Sequence, residues 1–394
     1  MSAVSSFVGE RLTQARKARG VSAGDFADMV GLDRVTISRY ETGKMDPKPS
    51  TIYKMAEALN FPTGYFSREL NSREGSGPLF WRARLTAPVK MRERTAVRLE
   101  WLEDIIEFLE EYFDFPDMNL PDLGGHDALT LSENALENAA AALRQHWSVS
   151  SGPLPNSIGL VEANGVLVSR CSTDTAKLDA VSRPQHSSGH PYMLLSRDGD
   201  SACRQRFDVC HELAHLVIHR NVTESMMKDK ATYKAVERQA DYFASCLLLP
   251  AQDFADELFA PTLDAFMTMK ERWRVSIAAM IMRCKALEIL DKDQASRMFI
   301  AYSRRGWRNG EPLDSAIEKE SPTLLKSSIE ILLEQNVYSS DEILGRLPIP
   351  VYDLEQLCEL DTGTLNPSPP VDVQPKLKQK GNVVSLSRHK KPQS

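Results

Sequence analysis

No two cysteines in this sequence form a CxxC pair, and the six that are present are scattered along the 394 residues. Closely spaced cysteines are typical of cysteine-zinc modules and of disulfide frameworks, so both classes are excluded. The chain also lacks an apolar run approaching the roughly 18–20 residues that cross a bilayer. Its first residues contain no basic cluster followed by an apolar core, so we expect no secretory signal. These absences predict a cytoplasmic protein with reduced thiols and no membrane contact.

A strong positive charge is absent as well, because the formal net charge is −6. This value argues against a general nucleic-acid coating protein, so any contact with nucleic acid must be local. The hydrophobic and charged fractions, 42% and 26%, are typical of a globular protein. A single hydrophobic core rarely grows beyond about 250 residues, so this length predicts two or three domains. The sequence shows no internal repeat.

The first functional pattern is a pair of short helices separated by a turn, in VSAGDFADMVGLDRVTISRYETGKMDP at 21–47. Gly31 marks the turn, and Ser22 and Asp33 are placed to cap the two helices, as Ser50 is for a later one. Two helices in this arrangement place the second one in the major groove of DNA. The pattern therefore predicts a DNA-binding domain, while a small helical domain for protein contact is the alternative.

The second helix of this pair offers side chains that suit base and phosphate contacts. Arginine binds guanine with two hydrogen bonds, a threonine methyl contacts thymine, and lysine contacts phosphates. The expected DNA contacts are Arg34, Thr36, Arg39 and Lys44. Residues 1–70 hold ten basic and eight acidic residues, a surplus that predicts weak binding by one copy. We therefore expect a homodimer on a double-stranded DNA operator, or additional basic surface.

Such a basic surface is offered near the start of a long helix predicted from Pro88 to about Phe113. Basic residues at a helix start oppose the helix dipole, which suggests phosphate contact, with a solvated helix face as the alternative. The residues are Arg82, Arg84, Lys90, Arg92, Arg94 and Arg98.

The segment at 21–47, with PSTIYKMAEALNF after it, resembles the repressor/Cro-type helix-turn-helix of the Xre family over roughly residues 6–67. Ala23 stands where many members of that family carry Gln. The resemblance implies an all-α, operator-binding domain.

A second pattern, RFDVCHELAHLVIH at 206–219, contains His211-Glu212-x-x-His215. Positions four apart share one face of a helix, so both imidazoles can reach one metal ion. Glu212, next to the first ligand, is the expected general base for a water at the metal. The pattern therefore predicts a catalytic zinc site.

A third ligand is expected from the next helix, ERQADYFASCLLLP at 237–250. Glu237 is our predicted third ligand, and Asp241, one turn later, is the predicted acceptor that orients a ligand imidazole. His219 is the rival third ligand. Three ligands in one helical row surround an ion poorly, so we assign His219 a supporting role. Tyr192, Tyr233 and His190 remain open as donors to a developing oxyanion, and Cys203 and Cys210 are expected to pack in the core.

These two helical segments together resemble the ImmA/IrrE family of zinc-peptidase-like proteins over perhaps residues 150–255. Members often carry an Xre-type domain in front, as this chain does. The resemblance implies cleavage of a regulatory protein, typically a repressor, in response to stress or mobilisation of a genetic element.

The expected fold is a multidomain, mainly α protein with an N-terminal all-α helix-turn-helix domain and a small α+β zincin-like core. Two buried strands are predicted at 165–171 and 191–197. The expected divisions are a DNA-binding domain (1–70), a linker with long helices (71–150), a metallopeptidase domain (151–260), a helical region (261–365) and a disordered basic tail (366–394).

The function expected first is a DNA-binding regulator that cleaves a repressor-type protein, or itself within the 71–90 linker, with Zn²⁺ as cofactor. The alternatives are a regulator without enzymatic activity, whose zinc domain senses or dimerises, and an antitoxin-like binding partner.

Overall fold

The computed structural model describes residues 7–70, 80–83, 88–125, 128–172, 178–183, 189–198 and 201–365. Within these ranges the chain forms seventeen α-helices and one four-stranded sheet. The expected fold class, mainly helical with a small α+β core, is confirmed. No helix among the described residues is long and apolar enough to span a membrane. The predicted tail at 366–394 and most of the predicted linker at 71–90 lie outside the described residues.

The N-terminal part is a bundle of short helices. Its elements are α1 (Gly9–Ala18), α2 (Ala23–Val30), α3 (Arg34–Glu41), α4 (Pro49–Leu59) and a 3₁₀ helix at Thr63–Ser67. Ser22 and Asp33 cap α2 and α3 as predicted, each accepting a backbone N–H three residues later. The predicted cap at Ser50 is wrong, because Lys48 is the N-cap and Pro49 takes the first helical position. Proline suits that position, since it has no N–H to leave unsatisfied.

Helix α5 (Val89–Glu110) is the long helix predicted after Pro88, and it packs against α1. Its predicted basic surface is contradicted for two residues. Arg98 is buried and donates to the carbonyl of Ser172, and Arg94 donates to the carbonyl of Arg19 at 3.1 Å. Both guanidinium groups therefore bind protein backbone, so neither phosphate contact nor a solvated face describes them. Arg84 lies outside the described residues.

The sheet contains β1 (Phe80–Ala83), β2 (Leu167–Cys171), β3 (Leu178–Arg183) and β4 (Tyr192–Ser196) in the order β1-β3-β4-β2. Strands β2 and β4 are parallel, whereas β3 is antiparallel to both β4 and β1. The two parallel strands are the ones predicted from their apolar runs. Strands β1 and β3 were not predicted, because they are short and mix polar with apolar residues.

The sheet separates two hydrophobic cores. Alternate residues of a strand point to opposite faces. Val181 and Leu194 join the core that contains α1–α5, whereas Ala180 and Met193 join the core on the other side. The second core is built mainly by α6 (Glu133–His146), α7 (Ser157–Ala163), α8 (Ala202–Val217) and α10 (Lys230–Leu248), with the short α9 (Glu224–Met227) before α10.

The C-terminal helices are shared between these two cores. Helices α11 (Ala251–Glu257), α12 (Leu263–Trp273), α13 (Ile277–Ala286) and α14 (Lys292–Arg304) extend the core around α8 and α10. Helices α15 (Leu324–Glu334), α16 (Ser340–Arg346) and α17 (Val351–Leu357) pack into the core of α1–α5. The region predicted as one helical block at 261–365 thus contributes to both.

Candidate metal centre and DNA-binding face

Helix α8 carries two histidines whose ring nitrogens face each other. His211 and His215 are buried, and their Nε2 atoms lie 3.2 Å apart. The spacing of four residues places both rings on one side of the helix, one above the other. Two neutral imidazoles in this position direct two lone pairs toward one point. The arrangement is suited to a shared metal ion.

Helix α10 brings a carboxylate to the same point. The Oε2 atom of Glu237 lies 3.5 Å from Nε2 of His211, and its Oε1 atom lies 3.7 Å from Nε2 of His215. Oε1 is buried and has no hydrogen-bond partner among the described residues. Within the described ranges, these three residues form the group whose donor atoms all approach one another closely enough for one ion.

The donor set fits zinc. Donors bound tetrahedrally at about 2.0–2.1 Å from zinc lie roughly 3.3 Å from one another, close to the three separations found here. Two nitrogens and one carboxylate oxygen also match the three-ligand pattern of catalytic zinc, which leaves a position open, whereas structural sites usually take four side chains. A buried carboxylate oxygen without a hydrogen bond is costly, and a cation at this point removes that cost.

Two further contacts hold the imidazoles in place. Nδ1 of His211 lies 2.9 Å from Oδ1 of Asp241, the partner predicted for it. Nδ1 of His215 lies 3.0 Å from Nδ1 of His219, whose Nε2 lies 3.0 Å from Oε1 of Gln239. His219 therefore contacts the ring nitrogen of His215 that points away from the three donor atoms, and it is not one of the donors. Gln239 was not identified from the sequence.

Burial lowers the pKa of His219 to about 4, so this ring is neutral near pH 7. One choice of ring protonation then makes hydrogen bonds of both contacts, from His215 to His219 and from His219 to Gln239. His215 presents Nε2 to the metal point and donates from Nδ1 to His219, which donates from Nε2 to the amide oxygen of Gln239. A hydrogen bond to the second nitrogen fixes the orientation of a ligand imidazole.

Glu212 lies beside this centre and is fully buried. The hydroxyl of Ser182, on β3, donates to Oε2 of Glu212 at 2.5 Å. Ser182 is itself fully buried, and it was not identified because β3 was not predicted. A hydroxyl that donates to a carboxylate favours its charged form and fixes its direction. Glu212 is thereby held as an oriented acceptor.

Of the three open oxyanion-donor candidates, one interacts electrostatically with the carboxylates of the centre. Burial raises the pKa of Tyr233, and the negative charges of Glu237, Glu212 and Asp241 raise it further, so this phenol stays protonated beside the carboxylates. By contrast, the hydroxyl of Tyr192 donates to Glu103. His190 packs on the ring of Phe115.

The two cysteines near the centre are not placed to bind metal. Cys203 and Cys210 are buried, and burial raises the pKa of the first thiol to about 11 and of the second to about 12. A metal ligand must be a thiolate. Neither joins the three metal donors, and Cys210 packs within the core around α8 and α10.

The helix α3 exposes the cations predicted to contact DNA. Arg34 and Arg39 are exposed on it, and Lys44 is exposed just beyond its end. Thr36 is half-buried, and its hydroxyl donates to Asp33 at 2.7 Å, so only its methyl group remains for a base contact. The apolar residue of α3 that faces outward is Val35, which is 61% exposed.

The bundle also exposes apolar side chains outside α3, which were not identified from the sequence. Met29 on α2 and Tyr53 on α4 are both more than half exposed. Ile37 and Tyr40, on the opposite side of α3, are buried in the helical bundle. The outward surface therefore mixes cations with apolar groups, as a surface that meets both phosphates and base edges requires.

Comparison with protein families matches two parts of this chain. Residues 161–285 match the peptidase M78 family, described as an IrrE N-terminal-like domain, and residues 12–66 match a helix-turn-helix family. The first match contains the three metal donors and Glu212, and the second contains α2 and α3. The chain thus joins an Xre-type helix-turn-helix domain to an ImmA/IrrE-like peptidase M78 domain, as its sequence predicted.

Two curated relatives are regulators of Bacillus subtilis (strain 168). The HTH-type transcriptional repressor RghR is 44% identical over 55 residues, which are 14% of this chain and 41% of that protein. The SPbeta prophage-derived uncharacterized HTH-type transcriptional regulator YonR is 35% identical over 57 residues, 14% of this chain and 53% of that protein. The chain thus spans about half the length of the relatives it matches.

One solved structure, a Mycobacterium tuberculosis transcriptional regulator, is 19% identical and covers 47% of this chain and 52% of its own chain. Its TM-score of 0.29 is too low to support any argument about the fold.

Proposed function

We propose that this protein is a DNA-binding transcriptional regulator whose second domain is a zinc-dependent endopeptidase acting on a repressor-type protein. The observation that carries the proposal is the meeting of His211, His215 and Glu237 beside the buried carboxylate of Glu212. A centre that only stabilises the fold has no use for an oriented carboxylate next to its metal point. A hydrolytic centre uses such a carboxylate as the base for the attacking water.

Zinc bound to these donors supplies Lewis-acid polarisation of the scissile carbonyl. Glu212 takes a proton from the attacking water and passes it to the leaving amine, as a general base and then a general acid. The hydroxyl of Ser182 holds Oε2 of Glu212, so the proton moves through a carboxylate of fixed direction. Tyr233, kept protonated by its surroundings, is the proposed donor to the developing oxyanion.

The DNA-binding part of the proposal rests on the exposed residues Arg34, Arg39 and Lys44. The name of the relative RghR, a transcriptional repressor, supports a regulatory role. One copy of this domain has only a small surplus of positive charge. We therefore propose a homodimer that binds two half-sites of an operator, because two copies double the number of phosphate contacts.

The metal is tested by elemental analysis of the purified full-length chain. The wild type is expected to hold close to one zinc per chain. Glu237→Ala removes one of the donors and is expected to lose most of that zinc. Glu271→Ala is the matched control, since it removes an exposed carboxylate from α12. Wild-type protein that stays folded but cannot be loaded with zinc contradicts the proposal.

Peptidase activity is tested with Glu212→Gln, which removes the base but no metal ligand. This variant is expected to keep zinc and operator binding and to lose cleavage. The readout is mass spectrometry of new protein N-termini in cells that express the wild type or the variant. Equal patterns of N-termini and equal regulation of target genes indicate a regulator without enzymatic activity.

A further inference from the structure

Strand β3 is the strand of the sheet that reaches Glu212. It packs against α8, and its residue Ser182 holds the Glu212 carboxylate at 2.5 Å. One edge of β3 pairs with β4, which β2 covers on its far side. Among the described residues, the other edge of β3 pairs with β1 alone. Without β1, the strand beside the candidate active site would present an unpaired edge.

The strand β1 comes from a distant part of the chain, ahead of α5. Its register places Phe80 opposite Ser182 and Trp81 opposite Val181. Neighbouring strands lie about 4.7–4.9 Å apart, so the backbone of Phe80 is one strand spacing from the residue that holds Glu212. A piece of extended polypeptide thus already lies beside the proposed catalytic carboxylate.

An endopeptidase must hold its substrate as an extended chain, with one carbonyl presented to the metal and the base. Addition of a strand to an exposed sheet edge achieves this, since the backbone hydrogen bonds give affinity for almost any extended sequence. Among the described strands, β3 is the one whose edge lies next to Glu212.

We propose that the edge of β3 is the peptide-binding edge of this protein, and that its own segment Phe80–Ala83 occupies this edge in competition with the protein substrate. The inference rests on the proposed peptidase function and names its substrate class: an extended, locally unfolded segment that pairs antiparallel with β3. An incoming segment displaces β1 by offering the same backbone groups.

The dimensions of β1 suit an occupant that can be displaced. The strand is four residues long, and its register shifts between Arg82 and Ala83, so its regular pairing with β3 is brief. Few backbone hydrogen bonds hold it, and each has an equivalent in any other extended peptide. Exchange of one strand for another therefore leaves the number of backbone hydrogen bonds on β3 unchanged.

The experiment measures binding of a fluorescein-labelled peptide with the sequence of residues 78–85 to the full-length Glu212→Gln protein, by fluorescence anisotropy. Glu212→Gln keeps the peptide intact. In an antiparallel pair, successive residues direct their N–H groups alternately to opposite sides. A double proline at positions 81 and 82 therefore removes at least one hydrogen bond to β3. The matched control, Trp81→Ala with Arg82→Ala, removes the same side chains and keeps the backbone N–H groups.

Release of an intramolecular competitor raises the fraction of molecules that can bind. When β1 occupies the edge of β3 in more than about nine tenths of the Glu212→Gln molecules, fewer than about a tenth of them can bind the peptide. The double-proline variant is then expected to bind the peptide at least about tenfold more tightly than the double-alanine control. Equal affinity in the two variants overturns the proposal. Weaker binding by the proline variant also overturns it, and places the peptide on the outer edge of β1 instead.

A second variant keeps the test decisive if the prolines disturb folding. Residues opposite each other in an antiparallel pair have Cα atoms about 4.5–5.5 Å apart, within the range that a disulfide spans. Trp81→Cys with Val181→Cys therefore locks β1 onto β3 when oxidised. The six native cysteines are buried, so the new bond is readily verified by mass spectrometry. The oxidised protein should lose peptide binding and the reduced protein should regain it.

An oxidised, locked protein that binds the peptide as well as the reduced protein contradicts the inference. Neither measurement depends on zinc or on cleavage. A failure of this inference is therefore distinct from a failure of the proposed peptidase function, which the zinc content and the new N-termini report.

Discussion

The guanidinium of Arg11 lies 3.3 Å from the carboxylate of Asp104, and the two side chains are only 1% and 4% exposed. This ion pair joins the first helix of the DNA-binding bundle to α5. The preceding residue of α5, Glu103, contacts Arg183 on β3. Arg183 follows Ser182, which holds Glu212. A short series of polar contacts therefore connects the helix-turn-helix domain to the candidate active site.

Replacement of Arg11 by Met is expected to destabilise the protein by about 3–5 kcal/mol, because the buried carboxylate of Asp104 loses a buried cationic partner. The double variant Arg11→Met with Asp104→Leu should recover part of that loss, since the buried carboxylate that loses its cation is also removed. Urea unfolding of the four proteins in this mutant cycle measures both effects. Arg272→Met, which removes an exposed ion pair with Glu257, is the control and should cost no more than about 1 kcal/mol. A double variant no more stable than Arg11→Met would contradict a charge-pairing role.

The hydroxyl of Ser182 is expected to matter for turnover more than for metal binding. Ser182→Ala removes a hydrogen bond to a carboxylate, worth about 1.5–3 kcal/mol, so kcat should fall about 10- to 100-fold with zinc content unchanged. Ser169→Ala is the matched control. Ser169 is also a buried serine, and its hydroxyl donates to the carbonyl of Leu357 on the opposite face of the sheet. A similar loss of activity in both variants would indicate a structural effect only.

Asp241 is expected to tune the metal affinity through His211. Asp241→Asn weakens the hydrogen bond to Nδ1 and should lower zinc affinity about 10- to 100-fold, as changes at such partners commonly do. Competition with a zinc chelator of known affinity measures the change. Asp256→Asn removes an exposed carboxylate from α11 and should leave the affinity unchanged. Unaltered zinc affinity in Asp241→Asn would show that the contact with His211 does not support the metal.

Arg39 and Lys44 are expected to affect DNA binding in different ways. Lys44→Ala should weaken binding to all DNA sequences and reduce the salt dependence, the slope of log affinity against log salt, by about 1. Arg39→Ala should cost about 1–3 kcal/mol and relax the preference for one base pair. Anisotropy titrations at several salt concentrations measure both. Lys292→Ala, on the remote helix α14, is the control for a general loss of charge. Identical salt slopes for wild type and Lys44→Ala would remove Lys44 from the interface.

Features that depend on neighbours along the chain were predictable. The caps at Ser22 and Asp33 and the shared face of His211 and His215 depend only on residues within one or two helical turns. Glu237 was also expected beside the histidine pair, because it lies on the next amphipathic helix after them. The buried strands β2 and β4 were visible as apolar runs bounded by turn residues.

Features that join distant parts of the chain were not predictable in the same way. The strand β3 mixes polar with apolar residues, and its Ser182 acquires a role only when the sheet packs on α8. The same holds for Gln239 behind His219. Arg94 and Arg98 were expected to face outward, toward solvent or toward phosphates, yet tertiary packing turns both toward backbone carbonyls.

By itself the sequence determined the two chemical units of this protein, a helix-turn-helix and a helix with two histidines flanking a glutamate. Each depends on the periodicity of one helix, which residue spacing specifies. The tertiary structure alone decided how Glu212 is held, how α5 joins the two cores and which segment lies along β3. Those relationships depend on strand pairing and burial between residues far apart in the chain, and no local pattern encodes such pairings.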